Sequence, residues 1–280
     1  MILLIFTGTL SSQQQIQNPG FEEWEDVGLS KEEPTHWSSI KTSDNLSLNI
    51  HAPIVWDKST DAHSGNYSLY LFNYYVSLIN HVAAGTISNG RFHSDLDPEL
   101  GYAFTDPNNP SYHGVLTSKP DSVVGWYKCN PAVGDFGTIK FLLHTGYAAI
   151  PGDESNYIAM AYQELPTVEV NTWTRFSIPF VYTSNATPEY FLCILTSGNG
   201  TQAIEGSTAY FDDLKFIYNP SSIGELKQND FKVYTQNDIL KVEIEDNSND
   251  PAGFILVDLN GRIIYNASLE TNTINEFSIS

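Results

Sequence analysis

Across residues 118–145, apolar and polar positions alternate in two runs, 123–129 and 138–143, on either side of a segment carrying Asn130-Pro131 and Gly134-Asp135. A period of two with Pro and Gly punctuation predicts a strand, a long turn and a second strand, a hairpin at the centre of a sheet protein. The pattern recurs along the chain. Residues 61–71 read D-A-H-S-G-N-Y-S-L-Y-L, a turn launching a strand with Tyr67, Leu69 and Leu71 on one face. Residues 84–92 predict a short strand with glycine punctuation, and residues 171–182 set Phe176, Ile178 and Phe180 together, with Pro179 pointing to an edge or bulge. Residues 190–195 are almost wholly apolar and predict a central strand of a two-layer core, while residues 206–218 close the domain. Near the start, the turn Asn18-Pro19-Gly20 delivers Phe21 and Trp24 toward a core, and Trp37 opens the next extended piece. Roughly eight to ten short strands with no helical period predict an all-β sandwich or jelly roll.

Residues 219–230, N-P-S-S-I-G-E-L-K-Q-N-D, read as a polar linker. Residues 231–280 carry strands of their own at 239–244, 254–258 and 263–265, with Asn260-Gly261 as a hairpin turn. This predicts a small β-sandwich module that is incomplete, because its sheets would end unclosed just after Phe277. At the other end, M-I-L-L-I-F-T-G-T-L followed by Ser11 and Ser12 reads as the apolar and cleavage regions of a signal peptide over residues 1–15. A basic leading region is missing, which leaves a truncated or a misassigned start as the alternatives. No later stretch approaches the roughly 20 apolar residues of a membrane helix, and direct membrane insertion is not expected.

Charge narrows the partners. Thirteen Lys and Arg against 33 Asp and Glu leave a net charge of -20, which repels nucleic acid and anionic lipid. With only 16% charged residues and abundant Tyr, Phe, Asn, Ser and Thr, the composition is that of a secreted, extracellular β-protein. Such a compartment would permit a bond between Cys129 and Cys193. Each, however, sits in an apolar strand pattern where a thiol is an ordinary small core residue.

Several segments together resemble a known family. N-P-G-F-E-x-W followed by P-x-x-W, then H-S-G-N-Y-S-L-Y-L, A-G-T-I-S-N-G-R-F, G-W-Y-K-C-N-P-x-x-G-D, P-E-Y-F-L-C-I-L-T-S-G and G-S-T-A-Y-F-D-D-L-K-F-I-Y resemble the PCMD, a carbohydrate-metabolism domain of Bacteroidota surface proteins. The likeness spans residues 16–218 and implies a jelly-roll β-sandwich related to carbohydrate-binding modules. Cys129 stands where an aromatic is more usual in that pattern. Residues 231–280 resemble the C-terminal sorting domain of the type IX secretion system, through F-K-V-Y, I-L-K-V-E-I and F-I-L-V-D-L-N-G-R-I-I-Y. Here Tyr234-Thr235-Gln236-Asn237 replaces the usual proline-containing motif. The resemblance implies export by the type IX machinery, removal of this module, and release or attachment at the outer cell surface.

Catalytic signatures are scarce. A glycosidase needs two carboxylates facing across a sugar, and no strand shows such a pair; Glu243 and Glu245 alternate in the C-terminal module as a solvated face. No G-x-S-x-G, H-E-x-x-H, C-x-x-C or phosphate loop occurs, and His63, His81, His93, His113 and His144 are scattered singly. Asp212 shares strand parity with Tyr210, Leu214 and Phe216, so its carboxylate is expected to face the apolar layer and to need a partner. The resemblance implies a structural calcium held by Glu22 and Asp212 with backbone carbonyls near residues 64–66; the alternative is that Asp212 caps backbone N–H groups. Sugar-binding jelly rolls use exposed aromatic faces, which makes Tyr102, Phe104, Tyr112, Tyr147 and Tyr157 the candidate ligand residues. Trp24, Trp37, Trp126 and Trp173 are expected in the core. Residues 95–117, long and without clear period, are the candidate ligand surface, with an ordinary Ω-type packing loop as the alternative. The leading expectation is a secreted glycan-binding protein without catalysis of its own; a glycan-active hydrolase or lyase and a non-catalytic adhesion or scaffold protein are the alternatives.

Overall fold

The computed structural model describes residues 3–5, 13–152, 154–218, 231–244, 252–257, 263–270 and 272–278. They fall into two compact units, Gln13–Tyr218 and Met1–Ser12 with Asn219–Ser280. The expected linker, the Asn260-Gly261 turn and most of the expected signal peptide lie outside the described residues.

The larger unit is all-β, a jelly-roll β-sandwich of two antiparallel sheets. One sheet runs in the order Val170–Pro179, Ser122–Asn130, Thr208–Ile217, Ser68–Phe72, Trp56–Ser59. Pro179 therefore sits at the end of an edge strand, where no ladder hydrogen bond is lost. The other sheet runs Gly114–Val115, Tyr190–Thr196, Thr138–His144, Tyr157–Glu164, Val181–Tyr182, with Thr86–Ser88 also paired to Tyr190–Thr196. Alternate residues of both sheets meet in one core: Leu69, Leu71, Val123, Phe211 and Phe216 against Ile139, Phe141, Leu143, Phe191 and Leu195. Phe216 stands edge-on to Phe141 and Phe191, with centroids 5.9 and 5.1 Å apart. Burying each such side chain stabilises by roughly 1.5–3 kcal/mol.

The expected central hairpin is not one. Ser122–Asn130 pairs with Val170–Pro179 and Thr208–Ile217, whereas Thr138–His144 pairs with Tyr157–Glu164 and Tyr190–Thr196. The intervening turn crosses from one sheet to the other, and Asp135, fully buried within it, ties the crossing down. Its Oδ1 accepts from the Phe136 and Asn199 N–H groups at 2.8 Å each, and its Oδ2 from Asn73 Nδ2, Ile204 N and Ser207 Oγ at 2.9, 2.8 and 2.7 Å. A further layer explains why residues 190–195 are apolar on both parities. The small sheet of Arg91–His93, Tyr102–Phe104 and Ala149–Ile150 lays Phe92, Ala103 and Ile150 over Leu142, Leu192 and Ile194 on the outward face of the second sheet.

One parity reading and one placement are corrected. Ala209 and Phe211, not Tyr210, point inward with Leu214 and Phe216, because the register slips between Val124 and Trp126 opposite Asp213, which adopts φ 50°. A single inserted residue flips every side chain beyond it. Of the tryptophans expected in the core, Trp37 is buried and Trp24 packs against its edge. Trp126 and Trp173 instead stand half-buried on the outward face: His63 stacks on Trp126 at 3.8 Å, and the Lys128 ammonium lies over Trp173 and Tyr210. Cys129 and Cys193 are both free and buried, one in each sheet.

The second unit has two three-stranded sheets around Leu240, Val242, Leu256 and Leu269. Phe231–Gln236, Ile239–Ile244 and Ile274–Ser278 form one; Ala252–Val257 lies between Leu3–Ile5 and Ile263–Leu269 in the other. The last strand thus pairs with Ile239–Ile244, and residues 3–5 add a strand to the sheet. Among the described residues no helix is long and apolar enough to cross a membrane.

Candidate functional site

The small outer sheet sorts its side chains by parity. Since Phe92 and Ala103 point down, the opposite face shows Arg91, His93, Tyr102 and Phe104, with Tyr102 across from His93 and Phe104 across from Arg91. His93 stacks on Tyr102 at 4.7 Å, Tyr102 neighbours Phe104 at 5.8 Å, and Phe104 neighbours Tyr147 at 5.9 Å, making one continuous row of rings. Tyr147, 49% exposed, comes from the bend before Ala149–Ile150. Burial, then the neighbouring Tyr102 hydroxyl and the Asp44 carboxylate, push its pKa up to about 12, so it stays a neutral hydrogen-bonding group. Polar groups frame the row. His93 Nδ1 pairs with Asp44 at 2.9 Å, and the Arg91 guanidinium, donating to the Ser43 carbonyl, lies 4.9 Å from the centre of the Tyr112 ring.

The structure thus brings together Tyr102, Phe104, Tyr147 and, through Arg91, Tyr112. Tyr157 stays apart: its ring packs under the small sheet and its hydroxyl donates to the Ala149 carbonyl. Residues 95–117 are less irregular than expected, holding the strands Tyr102–Phe104 and Gly114–Val115 and the short turns Pro98–Leu100 and Pro110–Tyr112.

Beside the row opens a cleft of about 710 Å³, with His93 and Tyr102 on one wall and His81, Val82 and Ala83 on another. Its floor follows from strand parity. On Thr138–His144 the outward residues are Thr138, Lys140 and Leu142; Leu142 is covered by the small sheet, while Thr138 and Lys140 line the opening. Tyr162 and Ile194, the register partners of Lys140, complete the floor with Thr196. Neither Lys140 nor His81 was singled out as a ligand residue from sequence. Lys140 looks like an ordinary outward position, and its partial burial depends on loops distant in the chain.

Glu22 and Asp212 meet a single turn. Glu22 accepts from the N–H groups of Asn66 and Tyr67 at 2.9 and 3.1 Å, and Asp212 Oδ2 from those of His63 and Ser64 at 2.7 and 3.3 Å. Burial first, and then Asp213, raise Asp212 to about 6. The carboxylate oxygens are of the hard type calcium takes, while neighbouring Asp213 is engaged by the His63 ring and the Ser64 hydroxyl. Gly65, at φ 67°, leaves the space the Glu22 carboxylate occupies, which a Cβ would fill. As arranged, these oxygens face N–H groups rather than carbonyls. Among the described residues no three His, Cys, Asp or Glu are grouped to hold a metal ion.

Glu33 was also not picked out from sequence. It is buried, accepts from Ser39 N and the Thr42 hydroxyl, and is raised to about 7 by desolvation. Closed off from solvent, it anchors the capping box at Ile40–Thr42.

Sandwich, aromatic row and a largely apolar cleft with Lys140 on its floor define an all-β module. No family model matches the chain, and no curated protein matches it. Solved structures with a similar fold include the carbohydrate-binding module TmCBM61 in complex with β-1,4-galactotriose, at 12% identity over 73% of this chain and 97% of that one, TM-score 0.32. Another is the K1 cleaved adhesin domain of Lys-gingipain from Porphyromonas gingivalis W83, at 11% identity over 74% and 98%, TM-score 0.38. A third is the C-terminal family 22 carbohydrate-binding module of Clostridium thermocellum Xyn10B, at 12% identity over 74% and 99%, TM-score 0.31. At these identities and TM-scores the likeness carries no argument about this chain.

Proposed function

We propose that the Gln13–Tyr218 unit binds glycan on the Tyr102–Phe104–Tyr147 row, without catalysis of its own. The observation that carries this reading is the row itself: adjoining rings on the open face of a sheet, with Tyr147 about half exposed and His93, Asp44 and Arg91 placed beside them. Sugar C–H faces pack on such π surfaces while hydroxyls take the flanking polar groups. A hydrolase would need two carboxylates opposed across a groove, and Glu33, the glutamate with a raised pKa, is buried away from solvent. A polysaccharide array, probed with the full chain, tests the proposal; binding to no member of a broad panel would sink it and favour an adhesion or scaffold role.

Export and calcium belong to the same proposal. The sequence of residues 231–280 supports type IX secretion and an extracellular or cell-surface location, tested by fractionating cells that carry or lack that segment. Glu22 and Asp212 would hold a structural calcium on the strength of their hard-oxygen chemistry alone.

A further inference from the structure

We infer that the cleft beside the aromatic row is a subsite for an anionic sugar unit, with the sugar's charged group on Lys140. The inference rests on the glycan reading for the word sugar, and on the cleft alone for the charge.

The molecule carries a net charge of -20, so its 13 Lys and Arg side chains have many acidic groups to meet. Several do: Lys31 with Asp57, Lys58 with Glu32, Lys128 with Asp61 and Lys241 with Glu276. Lys140 does not. Among the described residues its ammonium has no hydrogen bond and no ion pair, and it rests over the Tyr162 ring at 5.3 Å. Burial lowers its pKa, and that cost is offset by no acidic partner.

A second unsatisfied group belongs to the same cleft. His81 lines the cleft wall, and its Nε2 is buried without any hydrogen-bond partner. Buried polar atoms are nearly always bonded, so the cleft carries two unsatisfied groups, the ring nitrogen within its wall and the ammonium on its floor, and the ammonium is the one a ligand in the cleft would meet. The nearby hydroxyls of Thr138 and Thr196 already bond each other at 2.9 Å. The carboxylates lining the cleft, Asp95 and Glu99, are exposed at its rim, leaving Lys140 as the charge on the floor. Tyr162 and Ile194 give the floor an apolar surface for a sugar face. The volume of about 710 Å³ accommodates more than one small ring. A carboxylate or a sulfate ester would serve the same ammonium.

Titration calorimetry on the full chain separates the possibilities, using glucuronate, glucose 6-sulfate and glucose as probes. Tighter binding of either anionic probe than of glucose, weakened about tenfold or more in Lys140→Met and largely kept in Lys140→Arg, supports the subsite. Which anion binds better assigns its source, a uronic acid or a sulfated sugar. Equal binding of all three probes, or no effect of Lys140→Met, overturns the inference and leaves neutral-glycan binding at the aromatic row untouched. Failure of all three probes, with polysaccharides still held by the array, likewise overturns the subsite alone. Unchanged thermal melting of Lys140→Met guards against mere misfolding, and the Lys140→Arg variant keeps the test decisive if the Met variant melts early.

Discussion

Replacing Asp135 by Asn keeps its volume and removes only the charge and one acceptor, which makes it a sharp probe of the crossing between the sheets. The amide must turn its NH₂ toward one of two donor sets. Toward the first it abandons the N–H groups of Phe136 and Asn199. Toward the second it opposes Asn73 Nδ2 and Ile204 N, while Ser207 can rotate its hydroxyl to accept. Asn73 has little freedom to flip, because its Oδ1 already accepts from Gly85 N and Ser197 Oγ. Either way two donors lose their charged acceptor, at roughly 1–3 kcal/mol each for a buried donor; all but Asn73 Nδ2 are part-buried, so a loss in the lower half of about 2–6 kcal/mol is expected. That is a large share of the roughly 5–15 kcal/mol holding a typical domain together. Urea unfolding of the full chain, followed by tryptophan fluorescence, reads it directly, because all five tryptophans lie in the larger unit. The exposed Asp95→Asn is the control. A variant within about 0.5 kcal/mol of the parent would refute the account of the crossing, since surface changes alone fall in that range.

Two buried groups give opposite pH signatures. Glu33, raised from 4.5 to about 7, is protonated in both states below pH 4.5; as pH climbs toward 7 the unfolded form ionises first and stability drains by up to about 3 kcal/mol. Glu33→Gln should therefore gain on the parent at pH 8 and show little gain at pH 4, and a pH-independent difference would contradict this. His144, fully buried beside the Thr105 hydroxyl, is lowered by burial from 6.5 to about 4, so stability falls as pH drops from 6.5 to 4. His144→Gln should flatten that acid limb in urea titrations; an unchanged limb would contradict it. Millimolar calcium should raise the melting temperature, and chelator lower it, most clearly above pH 6 where Asp212 is ionised; identical melts with Glu22→Gln and parent would remove calcium from this corner.

Strand-forming segments were legible because period-two alternation is a local signal, and the apolar run at 190–195 did become a central strand. What the local pattern does not encode is which strand pairs with which. The turn at 130–137 reads equally well as a hairpin or as a crossing, and only the buried bonds of Asp135 select the crossing. Parity readings failed where one residue was added: Asp213 in the left-handed region reversed the expectation for Tyr210. Trp126 and Trp173 were expected in the core, yet their strand positions turn them outward, where Trp126 stacks with His63 and the Lys128 ammonium lies over Trp173. The aromatic candidates Tyr102 and Phe104 were legible as loop aromatics; their meeting with Tyr147 required a third strand from some 40 residues away. Lys140 and His81 were invisible as a pair, because the cleft that isolates them is assembled from distant loops.

The central claim is that glycan is held on the Tyr102–Phe104–Tyr147 row. Affinity electrophoresis on the polysaccharide that scores best in the array tests it most directly, comparing the parent with Tyr102→Ala, Tyr147→Ala, the double variant and, from the opposite sheet, Trp173→Ala. Each ring removed should weaken retention roughly tenfold and the double variant should run unretarded, while Trp173→Ala should match the parent. Full retardation of the folded double variant would contradict the claim.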